Sequence, residues 1–293
     1  MELLKRVWGN ILKTDVLGLA AQTAYFFFFS LFPLLLFTAP FLSLVGNKAA
    51  TVGIIMQALA RSVPPDAYLL IQNVVNDVVF AKNAPGVVSV GAILTIWAGS
   101  NVFSALIDAL NHAFAVNDSR PWWRRTLICF AFVIGAALVG LIATVVLLDG
   151  EQVVQIITGF FGLGETTRFI WTVLEFPIAV AFVVLLMWAV YYVLPDLRLS
   201  GREALIGAVV ASAAWIVVTL VFRIYVQHFG NYNKTYGTIG AVVILLTWMY
   251  LTMLSVLSAG VLAAELHSRH TGAPTGADLP KPSEVVQATQ TSS

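Results

Sequence analysis

The sequence predicts an all-α membrane protein with six transmembrane helices, and three observations carry that prediction. Hydrophobic residues make up 59% of the 293 residues and charged residues only 11%, whereas soluble proteins average about 45–50% and about 25%. Residues 16–47 contain no charged side chain, and about 20 apolar residues in a helix suffice to cross the roughly 30 Å hydrocarbon core of a bilayer. Five more apolar runs follow this stretch.

Residues 1–15 have the pattern of a helix that lies at the membrane interface. Their apolar side chains share one face at helical spacing: Leu3, Leu4, Val7, Trp8 and Ile11. Arg6 and Lys13 fall on the opposite face, as in helices that lie along a membrane surface. A frayed terminus is the alternative.

The first span is expected at residues 19–45. Pro33 and Pro40 are predicted to interrupt it, because a proline inside a helix removes a backbone hydrogen bond. The connection at 48–85 is the longest in the chain and mixes charges with apolar residues. It fits two amphipathic helices that lie on the membrane surface or cap the bundle, expected at 49–61 and 66–81.

The remaining apolar runs predict five further spans, at 86–106, 126–148, 171–194, 203–226 and 237–264. Small residues four positions apart in the third and fifth spans allow close helix packing; these are Ala136 with Gly140 and Gly207 with Ala211. The chain after residue 270 is rich in Thr, Ser, Pro and Gln, a composition that cannot bury a core. The predicted organisation is therefore an interfacial helix at 1–15, a six-span membrane domain at 16–270 and a disordered tail at 271–293.

Loop cations predict the orientation. With the N-terminus inside, ten lysines and arginines fall on the cytoplasmic side and five on the other. Cytoplasmic loops of membrane proteins carry the excess of these residues. Both termini are therefore expected in the cytoplasm, and the opposite orientation is the alternative.

Polar side chains inside the predicted spans are the first group of candidate functional residues: Gln22, Tyr25, Asn101, Glu175 and Arg223. Such groups are costly in lipid, so they are expected to face protein or a water-filled cavity. A purely structural hydrogen-bonding role is equally open for each. Glu175 and Arg223 are placed at the same depth near the outer ends of neighbouring spans, which predicts an ion pair. The alternative is that Arg223 snorkels to the headgroups.

The loop RPWWRR supplies the second group. Its members are Arg120, Trp122, Trp123, Arg124 and Arg125. Tryptophan rings settle at headgroup depth and cations reach lipid phosphates, so this loop is expected to bind anionic headgroups. A role in setting topology alone is the alternative. Asp108 and Glu265 fall at span ends and are expected to be interfacial rather than functional.

The sequence predicts neither an enzyme nor a cofactor. His267 and His270 are expected in a mobile C-terminal segment without a third ligand, so no metal site is predicted. No glycine-rich phosphate loop matches the Walker pattern, which argues against an ATP-driven motor. The formal net charge of +1 is unlike the clustered basic excess of nucleic-acid-binding proteins. The single cysteine, Cys129, excludes an intrachain disulfide.

Four stretches together resemble the YihY/BrkB family of bacterial inner-membrane proteins, some of which carry the older label ribonuclease BN. They are AAQTAYFFFFSLFPLLLF at 20–37, ALNHAFAV at 109–116, RPWWRR at 120–125 and YGTIGAVVILLTWMYLTMLSVLSAGVLAAEL at 236–266. The similarity covers about residues 5–268 and implies six spans in the bacterial inner membrane. Members are linked to transport of lipopolysaccharide precursors or to virulence. His112 stands where the family pattern has arginine, so the resemblance implies no basic role there.

These observations favour a transporter or flippase for a lipid-like molecule of the cell envelope, driven by a gradient or by a partner protein. The alternative is a non-transporting scaffold for envelope assembly. Membrane lipids and an envelope protein are the expected partners, nucleic acid is not, and the oligomeric state stays open. Ribonuclease activity is disfavoured, because it needs a catalytic carboxylate or histidine cluster beside a basic RNA groove.

Overall fold

The computed structural model of the chain describes residues 2–44, 85–139, 166–197, 199–228 and 232–278, and seven single positions between 53 and 72. Throughout these residues the regular structure is helical. Five helices are long and apolar enough to cross a membrane, and the helix that begins at Val16 is a further apolar helix. The all-α, six-span membrane fold is therefore confirmed.

The helices are numbered here in chain order. They are α1 (Glu2–Lys13), α2 (Val16–Leu44), α3 (Pro85–Ala113), α4 (described over Trp122–Val139), α5 (Thr166–Val193), α6 (Gly201–His228) and α7 (Tyr232–Thr271), followed by a 3₁₀ turn (Gly276–Asp278). The two amphipathic helices expected at 49–61 and 66–81 lie outside the described residues, apart from those seven single positions, which are helical.

The first span departs from the prediction at its prolines. The backbone of α2 stays helical through both Pro33 and Pro40, so the expected interruption is wrong. The proline ring fixes φ near −65°, which is itself a helical value, although each proline costs the helix one hydrogen bond and its ring crowds the carbonyl four residues earlier. Packing against α3 and α7 supports α2 from two sides.

The last span is longer than the sequence predicts. With 40 residues and a rise of about 1.5 Å per residue, α7 is roughly 60 Å long, about twice the hydrocarbon thickness. The helix is thus longer than the bilayer core can contain, and Glu265, His267 and His270 all lie in its last two turns.

Small residues bring α6 and α7 together, as the sequence predicts. A Cβ placed on Gly207 would lie 3.1 Å from the Cβ of Ala263, and Ala211 is 1% exposed. Tyr191 of α5 is fully buried beside this contact, and its hydroxyl donates to the Val256 carbonyl at 2.5 Å. Gly140, predicted to pack in the third span, lies outside the described residues.

The N-terminal helix α1 and the residues that directly follow α7 meet at one end of the bundle. The α1 helix packs against α7 and α2. Gly272 adopts a φ of 72° and terminates α7, and the following residues fold back toward α1 and α3. Within this segment Thr275 is 4% exposed, and Gly276 packs so tightly against the His112 carbonyl that a Cβ there would clash with it. Residues 272–278, expected in the disordered tail, thus form a packed turn, and residues 279–293 lie outside the described part of the chain.

The predicted apolar face of α1 divides between two environments. Val7 and Ile11 pack against the hydrophobic core, whereas Trp8 is 65% exposed and Leu12 is also exposed. One side of α1 therefore docks on the bundle, and the other presents an apolar stripe outward.

Candidate functional site

Polar side chains gather where α1 meets the residues that directly follow α7, a region we call the termini face. It consists of α1, the C-terminal ends of α3, α5 and α7, the N-terminal ends of α4 and α6, and the turn at Gly276–Asp278. Three clusters of hydrogen bonds and ion pairs join these helix ends, and each is described in turn.

The first cluster, the polar clasp, joins the α3–α4 loop to the end of α5. Its members are Asn111, Ser119, Arg120, Asp196 and the carbonyl of Leu194. The Asp196 carboxylate accepts from the Ser119 N–H at 2.7 Å and from the Ser119 hydroxyl at 2.6 Å. The Asp196 N–H donates to Asn111 Oδ1 at 2.8 Å, and Arg120 Nη2 donates to the Leu194 carbonyl at 2.8 Å.

Two further ion pairs hold the loop side of the clasp in place. Asp118 accepts from Arg120 Nε at 2.8 Å and from Arg120 Nη2 at 3.0 Å. Arg125 Nη2 lies 2.7 Å from the Asp108 carboxylate and donates to the Ser104 carbonyl at 2.9 Å. A second arginine, in the first turn of α4, thus ties the start of α4 to α3.

The acids of the clasp are held in their charged form. Burial raises the pKa of Asp118, but hydrogen bonds from Arg120 and the nearby charges of Arg120 and Arg125 outweigh it and leave the pKa below its usual value. The hydroxyl and N–H of Ser119 lower the pKa of Asp196, and burial opposes them only in part. Both carboxylates therefore stay ionised at neutral pH.

The second cluster joins the start of α6 to the end of α7. The buried Glu203 carboxylate lies 2.9 Å from Nδ1 of His267 and 2.8 Å from Nδ1 of His270. It also accepts from the Ser200 N–H at 3.2 Å. The expectation that these histidines lie in a mobile segment is therefore wrong, because both sit on α7 and share one carboxylate. Among the described residues no group of histidine, cysteine or acidic side chains is arranged to hold a metal ion.

The third cluster docks α1 on α7. Asn10 Nδ2 donates to the Glu265 carboxylate at 2.9 Å, and Arg6 and Arg269 approach the same carboxylate at 3.6 and 3.9 Å. Glu265 is 4% exposed. It lies at the polar end of a span as expected, but it is buried beneath α1 rather than facing solvent.

The loop RPWWRR was expected to precede the third span, but α4 begins at Trp122, so only Arg120 and Pro121 lie outside the helix. Its side chains divide into inward and outward members. Arg120 and Arg125 are engaged with carboxylates. Trp122 and Trp123 are 78% and 56% exposed, and the exposed Arg124 side chain makes no ion pair within the described part of the chain. The outward surface of this loop therefore consists of two indoles and one guanidinium.

The polar span residues whose side chains the structure describes lie on three different helices. Gln22 and Tyr25 lie on the exposed side of α2, Arg223 is exposed on α6, and Asn101 is half-buried on α3. The side chain of Glu175 lies outside the described residues. Its ion pair with Arg223 therefore stays a prediction.

Sequence reasoning overlooked Glu203, Asn10 and Asp196 as members of the site. One local signal was present: Ser200 and Glu203 have the spacing of a capping box, in which a glutamate three residues after a serine satisfies backbone donors at a helix start. Nothing local marked the contacts of Asp196, because its partner Ser119 is distant in sequence.

Comparison with known proteins identifies the family. A family model described as "Virulence factor BrkB" matches residues 7–284. The ribonuclease-like protein YfkH of Bacillus subtilis (strain 168) is 28% identical over 92% of this chain and 96% of its own length. No solved structure matches.

Two proteins called UPF0761 membrane proteins are also similar. RSc1559 of Ralstonia nicotianae is 28% identical over 90% of this chain, a region that spans 55% of that relative. IL2447 of Idiomarina loihiensis is 28% identical over 72% of this chain and 71% of its own length.

Proposed function

We propose, from the premise that the chain belongs to the family of the virulence factor BrkB, that it moves a lipid-like molecule of the bacterial envelope across the membrane. The molecule carries a polar headgroup past the protein while its acyl chains stay in lipid. A gradient or a partner protein drives the movement.

The observation that carries this proposal is the outer side of α2. Gln22 is exposed there, and Tyr25 and Phe29 are 53% and 50% exposed. The spacing of these three positions places them on one side of the helix. An amide and a phenol at membrane depth are costly unless they meet water or a polar group. A passing headgroup supplies such a group, while Phe29 and the neighbouring Phe26 offer apolar surface for the chains.

The proposal is tested by reconstitution into liposomes that contain a fluorescent phospholipid, with dithionite bleaching as the measure of transbilayer movement. The protein is expected to accelerate movement relative to empty liposomes, and Gln22→Leu with Tyr25→Phe to slow it about tenfold. Thr247→Val is the matched control, because that exposed hydroxyl donates to the Val243 carbonyl of its own helix. Equal rates with and without the protein would reject transport of such lipids.

A scaffold for envelope assembly is the second candidate, and the surfaces of α4 and α5 favour it. Only 6% of Trp122–Val139 and 11% of Phe176–Val193 are buried within the chain. These two helices therefore offer broad faces to lipid or to another membrane protein. Site-specific photo-crosslinking from Ile134 and Leu185, both exposed, would capture one discrete protein if the chain is a scaffold and only lipid if it is not.

The outward members of the loop RPWWRR are proposed to bind anionic headgroups. Each cation near such a surface contributes about 1 kcal/mol, and two exposed indoles favour headgroup depth. Arg124→Gln should therefore weaken co-purification of anionic phospholipid. Arg202→Gln is the control, because it removes an exposed cation of the same face that lies outside the RPWWRR stretch. Unchanged lipid content in the Arg124 variant would leave the arginine with a topological role only.

The termini face is proposed to lie in the cytoplasm, and the protein in the bacterial inner membrane. Exposed cations at this face support the orientation: Lys5, Lys13, Arg124 and Arg202. The positive-inside rule places such residues on the cytoplasmic side.

The chain is proposed not to be an enzyme, although one relative is named ribonuclease-like. His267 and His270 both direct Nδ1 to the Glu203 carboxylate. This geometry ties two helices together and does not present an acid and a base to a phosphodiester. Purified protein should leave labelled RNA intact, and the double variant His267→Ala, His270→Ala should behave identically. Cleavage that this double variant abolishes would overturn the assignment.

A further inference from the structure

The packing of the described helices leaves a seam, by which we mean the junction between α3 and α5. Extended packing joins α2 with α3 and α7, α6 with α5 and α7, and α3 with α7. Extended packing between α3 and α5 is absent from the described residues. The end of α5 is instead held beside the α3–α4 loop by the polar clasp.

An apolar layer lies beneath the clasp. Leu110 of α3 and Tyr191 of α5 both approach Gly260 of α7, and a Cβ there would lie 2.6 Å from Leu110 Cδ2 and 3.4 Å from Tyr191 Cε1. Leu194 is fully buried in the same cluster. The seam is therefore closed in two layers at the termini face, polar outside and apolar within.

The polar layer and the apolar layer differ in the free energy needed to separate them. The Ser119–Asp196 contacts are solvent-exposed hydrogen bonds, whose net contribution is modest because water can replace either partner. By contrast, α6 and α7 meet through buried small residues. Of the helices that meet at the seam, α5 is the least buried: 11% of Phe176–Val193 is buried within the chain, against 50% of Ile93–Ala113 in α3 and 50% of Gly240–Thr271 in α7. α5 is thus the least buried helix at the seam, and its end leaves the loop only by withdrawing the fully buried Tyr191 and Leu194 from the core.

We propose that the polar clasp is a gate at the termini face, which the end of α5 opens by swinging away from the α3–α4 loop. This inference rests on the proposed transport function. In the closed state, the Asp196 carboxylate accepts hydrogen bonds from Ser119, and the Asp196 N–H donates to Asn111. Arg120 donates to the Leu194 carbonyl, the last one before the turn. Opening exchanges these contacts for water and exposes the apolar layer to the aqueous side.

The chain contains a matched control for the gate. Asp278 also accepts from one N–H and one hydroxyl of a single residue, Thr275, at 2.8 and 2.9 Å. Thr275 is three residues from Asp278 in the same turn, whereas Ser119, the partner of Asp196, lies in the α3–α4 loop. Asp196→Ala and Asp278→Ala thus remove the same chemistry, but only the first crosses the seam.

The test measures the width of the seam by double electron–electron resonance. Spin labels are attached at Asn117→Cys in the loop and Val193→Cys at the end of α5, both exposed positions, in a Cys129→Ala background in lipid nanodiscs. The parent should give one short distance. Asp196→Ala should add a longer distance with a population at least tenfold above the parent, and Asp278→Ala should match the parent. Ser119→Ala, which keeps the N–H, should give an intermediate population and serves if Asp196→Ala does not fold.

Two results separate the gate from the transport function. An unchanged distance in both clasp variants, or an equal change in Asp278→Ala, would overturn the gate whatever the lipid assay shows. An opened seam in Asp196→Ala, together with a parent protein that moves no lipid, would instead refute the transport function and keep α5 as a mobile element.

Discussion

Glu203 at the start of α6 and His267 near the end of α7 lie 2.9 Å apart, carboxylate to Nδ1, although 64 residues separate them in sequence. Both are at helix ends whose dipoles suit them, since a carboxylate is stabilised near a helix N-terminus and an imidazole near a C-terminus. The pair fixes the register of the two helices at the termini face.

Removing either partner should destabilise the protein in a defined order. Glu203→Ala removes the acceptor that two imidazoles share and should cost about 1.5–3 kcal/mol, the range for hydrogen bonds to a charged group. His267→Ala, at a site where the side chain is 11% exposed, should cost less. His270→Ala, 69% exposed, should cost under about 1 kcal/mol. Thermal unfolding in detergent checks the order, and a larger effect at His270 than at His267 would contradict it.

The docking of α1 should depend on Asn10 more than on Arg6. Asn10 donates to the buried Glu265 carboxylate at 2.9 Å, whereas the Arg6 side chain is 65% exposed and 3.6 Å away. Asn10→Ala leaves that carboxylate short of a donor and should cost about 1–3 kcal/mol. Arg6→Ala should cost under about 1 kcal/mol. Hydrogen exchange of residues 2–13 checks this, and equal protection in both variants would argue that α1 is held by its apolar side alone.

The different packing around two helical glycines predicts opposite effects of alanine at the two positions. At Gly260 an added methyl meets the buried Leu110 side chain, whereas at Gly135 nothing lies within 4 Å. Gly135→Ala should stabilise by about 0.5–1 kcal/mol through helix propensity. Gly260→Ala gains the same propensity but overpacks the core, which costs about 1–3 kcal/mol. The two unfolding midpoints should therefore move in opposite directions, and a stabilised Gly260→Ala would show that this layer has spare room.

Sequence reasoning was most reliable where a local pattern decides the structure. The close contact of Gly207 with Ala263 follows from small-residue spacing, and the spans follow from hydropathy. Pro33 and Pro40 were misjudged because the cost of one lost hydrogen bond is offset by packing, which the pattern does not report. The contacts of Asp196 with Ser119 and of Glu203 with His267 depend on how distant helix ends align. Of these contacts, only the local capping role of Glu203 could be predicted from the sequence.

The polar clasp should weaken in acid, and the sign follows from its pKa values. Asp118 and Asp196 have lowered pKa values in the folded chain, so their contribution is complete above the unfolded value of about 4 and is lost as pH falls through the folded values. Asp118→Asn with Asp196→Asn should therefore lower the unfolding midpoint at pH 7. The gap to the parent should shrink below about pH 4. A gap that stays constant down to pH 3 would show that the charges of these carboxylates contribute nothing.

The orientation can be decided with two introduced cysteines in a Cys129→Ala background. A rise of about 1.5 Å per residue puts Thr235 roughly 48 Å along α7 from His267, farther than the roughly 30 Å hydrocarbon core is thick. Thr235 and the termini face must therefore lie on opposite sides of the membrane. Ser200 is exposed at the termini face, and its backbone N–H, which bonds Glu203, survives replacement by cysteine.

If the termini face is cytoplasmic, an impermeant maleimide should label Thr235→Cys in intact cells and leave Ser200→Cys unlabelled until the cells are opened. Labelling of both sites in opened cells is the control for thiol reactivity. The reverse pattern in intact cells would place the termini face, with the polar clasp and the loop RPWWRR, on the outer side. In that case the exposed cations of this face would violate the positive-inside rule, and their proposed contact with anionic lipid of the inner leaflet would fail with it.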